Sequence, residues 1–206
     1  MDEVIGLFPT PFMLVDKLLS DELLALFRDE ALAARKDANA QTALLSHTEP
    51  MNPADKPSYR EIVKLAAPKI ADFGALLFGE RMEWTVKEMW VNVLETGGHQ
   101  IIHTHANSFV SGVIYVTPSH PSARTVFHKS IGGSNFIFRH ASPTSQMGPF
   151  NADKWVMPDV APGAMVLFPS YLLHEVPVNR GAQRITIAFN ALPKSLESWG
   201  YRVHFA

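Results

Sequence analysis

The stretch Trp84-Thr85-Val86-Lys87-Glu88-Met89-Trp90-Val91-Asn92-Val93-Leu94-Glu95 decides the fold. It is rich in aromatic and β-branched residues and alternates with a period of two, as a strand with one face on a core does. Thr96-Gly97-Gly98 breaks it. Beyond that break, further strands are predicted over residues 100–103, 109–116, 124–128, 135–138, 164–168, 174–178 and 183–190, each bounded by Gly, Pro, Ser or Asn. Gly132-Gly133 reads as a hairpin turn and not as a phosphate loop. Seven or eight short strands separated by turn signals predict a double-sheet jelly roll or small barrel. No helix alternates with them, which argues against a doubly wound sheet.

Upstream the pattern is different. Residues 7–15 form a proline-punctuated extended segment, suited to a sheet edge because proline donates no ladder hydrogen bond. Ser20 is a good N-cap, Asp21 and Glu22 suit the positive end of a helix, and Leu19, Leu23, Leu26 and Phe27 recur at helical spacing up to about Arg35. Residues 36–57, with Pro50, Pro53 and Pro57, read as a long loop able to cover a site, with His47 on its surface. Ser58-Tyr59-Arg60-Glu61 has the form of a capping box opening a second helix, which Pro68 should kink or split and Gly79 should end. The expectation is a mainly β fold with N-terminal helices (α+β), a single domain over 1–206. Residues 1–82 supply the edge strand and helices that pack on a barrel formed by 83–206.

The chain has 206 residues, 47% hydrophobic, with a formal net charge of -2. No basic field is available for nucleic acid or an anionic membrane, and no apolar run is long enough to span one. There is no cysteine, so thiolate metal sites and disulfides are excluded. The start of the chain lacks the basic head and apolar stretch of a secretory signal. A cytoplasmic location is expected. A homodimer through an exposed β-rich flank is compatible with this composition.

Nine histidines bring a His-x-His pair close to chance, so context carries the argument. On one strand, His103 and His105 share a face while Thr104 points away. His174 opens a second strand after Phe168-Pro169-Ser170, and in a jelly roll it can reach the same point; Glu175 then faces the other side. Imidazoles suit Fe, Zn, Ni or Cu, and three protein ligands leave coordination positions open for chemistry. Ten residues on, Arg184 lies among Ile185, Ile187 and Phe189, where a buried guanidinium needs an anion. A dicarboxylate bound to the metal at one end and to Arg184 at the other supplies it. A structural ion pair with Glu88 or Glu95 is the plainer alternative. Thr186 shares the Arg184 face, and Tyr115 and Asn92 are candidate contacts for the same ligand. His99 and His128 read as satisfied or solvent-facing, and Trp84, Trp90 and Phe109 as core.

The run Trp90-x-Asn92, His103-x-His105, Ser111-Gly112-Val113-x-Tyr115, Gly163-x-x-x-x-Phe168-Pro169-Ser170-x-x-x-His174 and Arg184-x-Thr186-x-x-Phe189-Asn190 resembles a bacterial and phage family of 2-oxoglutarate/Fe(II) oxygenases. The opening Leu7-Phe8-Pro9-Thr10-Pro11 is similar too. The resemblance implies a double-stranded β-helix, Fe(II) on His103, His105 and His174, and 2-oxoglutarate held by Arg184. It implies a dioxygenase that consumes O2 and 2-oxoglutarate, releases succinate and CO2, and hydroxylates a C–H bond of a small-molecule or peptide substrate. One departure stands out: the wider superfamily uses His-x-Asp…His, and His105 replaces that carboxylate. A cupin-like three-histidine metalloenzyme without 2-oxoglutarate, and a non-catalytic binding barrel, are the other readings. Residues 138–160 are a second candidate cover.

Overall fold

The computed structural model describes residues 3–34, 36–39, 42, 44–129, 140 and 142–205. The strand expected over 135–138 and the Gly132-Gly133 turn lie outside them. Along the chain come β1 (Met13–Val15), α1 (Asp21–Ala33), β2 (Lys36–Ala38), β3 (Leu45–Thr48), α2 (Pro57–Phe78), β4 (Trp84–Leu94), β5 (Gln100–His103) and β6 (Val110–Tyr115). They are followed by β7 (Val126–His128), β8 (Lys154–Val156), β9 (Met165–Pro169), β10 (His174–Val176), β11 (Arg184–Pro193), β12 (Ser195–Ser198) and β13 (Tyr201–His204). No helix among the described residues is long and apolar enough to cross a membrane.

A seven-stranded sheet has the order β1-β9-β6-β11-β4-β3-β2, and a four-stranded sheet has the order β5-β10-β7-β8. All their pairings are antiparallel, and the two sheets form the double-stranded β-helix. Strand alternation divides the large sheet into two faces. Outward go Met89, Val91 and Val93 of β4 with Ile185, Ile187 and Phe189 of β11, packed against Phe27 of α1 and Ile62, Ala66, Ile70 and Phe73 of α2. Inward go the residues that line a cavity between the sheets, Trp90 and Asn92 of β4 with Arg184 and Thr186 of β11. Arg184 is therefore not surrounded by Ile185, Ile187 and Phe189 as its sequence neighbours suggest. They face the helices and it faces the cavity.

The helices follow their local signals in part. Ser20 caps α1, its side chain accepting from the Leu23 N–H, and Gly79 closes α2 at φ 74. The capping box at Ser58 does not form, because α2 starts at Pro57 with Lys56 in the N-cap position. The Ser58 hydroxyl instead donates to Glu30 of α1, 2.8 Å away. Pro68 does not split α2, which runs unbroken through it. Pro68 and Lys64, whose carbonyl loses its partner, both face solvent, while Ile62, Ala66, Ile70 and Phe73 anchor the turns on either side.

Residues 36–57 are not a structureless loop. β2 and β3 lie within them, and β3 extends the large sheet with Leu45 opposite Leu94 and His47 opposite Asn92. The edge strand is confined to Met13–Val15, paired to β9, while Phe8 upstream is exposed with φ 55. The β12–β13 hairpin, unmarked in the sequence by alternation, turns through Trp199 and Gly200 at φ 50 and 84. Two positive φ values at a two-residue loop are what its twist requires.

Candidate metal centre

The C-terminal end of β5 meets the start of β10, with His103 directly opposite His174 in the ladder. His105 is not on the strand, which ends at His103. It lies two residues beyond, where its backbone N–H donates to the Ser170 carbonyl at 2.9 Å. That bond ties the segment after β5 to the turn after β9 and carries the third ring to the other two. Thr104 between them is exposed.

The three rings offer ligand nitrogens that all lie within 4.8 Å of one another. The Nε2 atoms of His105 and His174 are 3.2 Å apart, and the rings of His103 and His174 stand 4.2 Å centre to centre. His103 and His174 are held by the same device, Nδ1 at 2.8 Å from the backbone carbonyl two residues upstream, Ile101 and Leu172. A carbonyl only accepts, so each Nδ1 carries the proton and each Nε2 presents a lone pair, the arrangement typical of metal-binding histidines.

Burial keeps the rings uncharged. It pushes His174 down to about 3, with His103 and His105 adding to the shift and the Leu172 carbonyl opposing it. His105 falls to about 4, mainly by burial and then by His103, with Glu88 opposing. His103 is lowered too, by burial first. Three neutral imidazoles make a donor set that suits Fe(II), and their nitrogens converge on one point.

The same cavity, about 450 Å³, is lined by Arg184 and Thr186 from β11 and Asn92 from β4. Arg184 is only 4% exposed, and burial lowers its pKa against the opposing influence of Tyr115. Its guanidinium donates to the hydroxyls of Ser119 at 3.0 Å and Thr125 at 3.5 Å and lies 5.4 Å from the Tyr115 ring centre. Among the described residues it has no carboxylate partner. Glu95 accepts from Gln183 and Glu88 from Asn190, so the structural ion pair is not made. A guanidinium buried with only neutral hydroxyl partners is costly unless an anion reaches it.

Asn92, Thr186 and Tyr115 form one cross-strand row. Tyr115 is buried beneath the guanidinium with its hydroxyl donating to the Met157 sulfur at 3.4 Å, outside the cavity lining. The Asn92 Oδ1 accepts from the Trp90 indole at 3.1 Å and from His47 Nδ1 at 2.6 Å, leaving its amide nitrogen for a ligand. His47, read from the sequence as a surface residue, is therefore part of the cavity wall, with Nε2 accepting from Asn39 at 2.8 Å. Its place depends on the β3–β4 pairing, for which the polar run Leu45-Ser46-His47-Thr48 carries no periodic signal. Trp90 also lines the cavity instead of being core, its ring 5.9 Å from that of His105. Glu175 points away, bonded to His128 at 3.0 Å. Of the two candidate covers, 36–57 supplies wall residues, whereas 142–160 supplies none.

The profile of a family described as "Putative 2OG-Fe(II) oxygenase" matches residues 88–190, half of the chain. No curated protein matches it. Among solved structures, an oxidoreductase of the 2OG-Fe(II) oxygenase family from Burkholderia pseudomallei is 15% identical, over 87% of this chain and 83% of that one, with a TM-score of 0.60. A prolyl-4-hydroxylase from Pseudomonas putida is 13% identical over 89% and 93%, TM-score 0.62. HygX from Streptomyces hygroscopicus, solved with nickel and 2-oxoglutarate bound, is 14% identical over 89% and 83%, TM-score 0.61. Identities this low speak for the shared double-stranded β-helix alone. The profile spans the segment that carries the three histidines and Arg184, and by that match the chain belongs to the family of 2-oxoglutarate- and Fe(II)-dependent oxygenases.

Proposed function

We propose that His103, His105 and His174 hold the Fe(II) of this oxygenase and that Arg184 fixes the far carboxylate of 2-oxoglutarate, for hydroxylation of a substrate C–H bond. The observation that carries the reading is a buried guanidinium without an anionic partner among the described residues, in the same cavity as three converging neutral imidazoles. A three-histidine metalloenzyme that takes no keto acid leaves that charge uncompensated. When bound, iron and keto acid supply the oxidising power: O2 is reduced, 2-oxoglutarate becomes succinate and CO2, and a C–H bond gains an oxygen.

The residues of the chain do the rest. The Ile101 and Leu172 carbonyls fix the tautomer and tilt of His103 and His174, so two lone pairs are aimed before metal arrives. Ser119 and Thr125 hold the Arg184 fork, leaving it a single aim into the cavity. Thr186 and the Asn92 amide add neutral donors along the keto acid.

Anaerobic addition of Fe(II) and 2-oxoglutarate should give the visible charge-transfer band of the chelate in the wild type and none in His174→Ala. Arg184→Ala should weaken 2-oxoglutarate binding by roughly ten- to a hundred-fold, the value of one buried charge-assisted contact. Absence of the band with iron shown to be bound would sink the reading. Unchanged affinity in Arg184→Ala would remove the role given to that residue.

A further inference from the structure

The cavity has a second charged end. Along β4 and β11 the inward residues come in rows, Arg184 opposite Leu94, Thr186 opposite Asn92, Ala188 opposite Trp90 and Asn190 opposite Glu88. The first and last rows are six residues apart, about 20 Å of strand. 2-Oxoglutarate spans only about 5 Å between its carboxyl carbons at roughly 1.5 Å per bond. Anchored on Arg184, it leaves the Glu88 end free for the other reactant. Glu88 is the one acidic side chain among the described lining residues.

That carboxylate is held from inside the protein. Ser108 donates to Ser170 at 2.9 Å, Ser170 bonds Ser111 at 2.8 Å, Ser111 donates to Asn190 Oδ1 at 2.8 Å, and Asn190 Nδ2 donates to Glu88 Oε1 at 2.7 Å. Ser170, Ser111 and Asn190 are buried, and every proton in the chain is directed towards Glu88. Just past this row the ladder shifts register, passing from Asn190–Glu88 to Ala191–Val86 and skipping Lys87. Such bulges re-aim side chains. Lys87 comes within 3.6 Å of the same Oε1, but both side chains are more than a third exposed and solvent screens the pair. Oε2 remains open. Trp90, the next inward residue of β4, uses its indole N–H on Asn92, so what it offers the cavity is its aromatic ring.

A fixed carboxylate beside an aromatic face recognises a cation. Building on the function proposed above, we propose that the substrate carries a cationic nitrogen, ammonium or guanidinium, held by Glu88 and the face of Trp90, which sets its reacting C–H bond beside the histidines. Glu88 and Trp90 are then the residues that determine specificity.

The test uses three probes with one alkyl chain and different heads, n-hexylammonium, 1-hexanol and hexanoate. Their binding is measured by calorimetry on the enzyme loaded with Fe(II) and 2-oxoglutarate without oxygen, and again without the keto acid. Hexylammonium should bind roughly tenfold or more tightly than hexanol, and hexanoate more weakly than hexanol. Glu88→Gln should bring the ammonium-to-hexanol ratio to within about twofold. It should do so without loss of fold, since glutamine Oε1 still accepts from Asn190. Trp90→Leu should narrow the ratio. Equal binding of hexylammonium and hexanol by the wild type overturns the proposal, as does a preference that survives in Glu88→Gln. Loss of the chelate band would instead count against the oxygenase reading, while the ratio without keto acid still decides the Glu88 site.

Discussion

His174 shows how burial keeps an imidazole neutral. Its ring stays neutral in the fold down to about pH 3, whereas in the unfolded chain it takes a proton below about 6.5. The unfolded state therefore binds more protons in that window. The stabilisation is complete above the unfolded value and is lost as pH falls towards the folded one. For the metal-free protein, this ring alone should reduce stability by about 2 kcal/mol between neutral pH and about pH 5, at about 1.4 kcal/mol per unit. Urea titrations of wild type and His174→Phe at the two pH values test it. The acid-induced loss should be smaller in the variant by about that amount, and equal losses would contradict the assignment. His105 lies two residues beyond the end of β5, off the strand that carries His103. One backbone bond to Ser170 ties it to the turn after β9, so the main chain of that turn brings the third ring to the other two.

At the scale of elements, the site depends on which way each strand turns its alternate residues. β6, β11 and β4 put polar groups inward and Ile, Val and Phe against the helices, and the register that does this is enforced by close fits. Gly112 of β6 lies opposite Phe189 of β11, and a Cβ there would collide with the outer edge of the Phe189 ring. Gly112→Ala should therefore cost about 1–3 kcal/mol by overpacking, read as a lower urea midpoint at unchanged slope. A neutral result would mean that the ring moves freely and that the register is held elsewhere. β3 is the opposite case, a strand of weak intrinsic preference recruited because the edge of β4 offers unpaired N–H and C=O groups. That recruitment brings His47 to Asn92.

For the whole molecule, the two halves of the site should report themselves in thermal unfolding. Fe(II) without oxygen should raise the Tm, and 2-oxoglutarate should add a second rise only when metal is present, each about 5–10 °C at ligand near a hundred times its Kd. Arg184→Ala should keep the first step and lose about half or more of the second. A keto-acid step of equal size without metal would mean that the anion binds away from the histidines. The sequence alone determined the β-rich C-terminal half, because period-two alternation is a local property that survives in any tertiary context. It also marked His103, His174 and Arg184, whose identities are unusual for strand positions. The tertiary structure decided what depends on pairing partners distant along the chain. It moved His105 off the strand, turned residues 36–57 into β2 and β3, and made His47 and Trp90 wall residues of the cavity. It also connected Glu88 to a buried chain of hydroxyls. Burial, register and the hydroxyl surroundings of Arg184 arise only when strands seventy or more residues apart in sequence lie side by side.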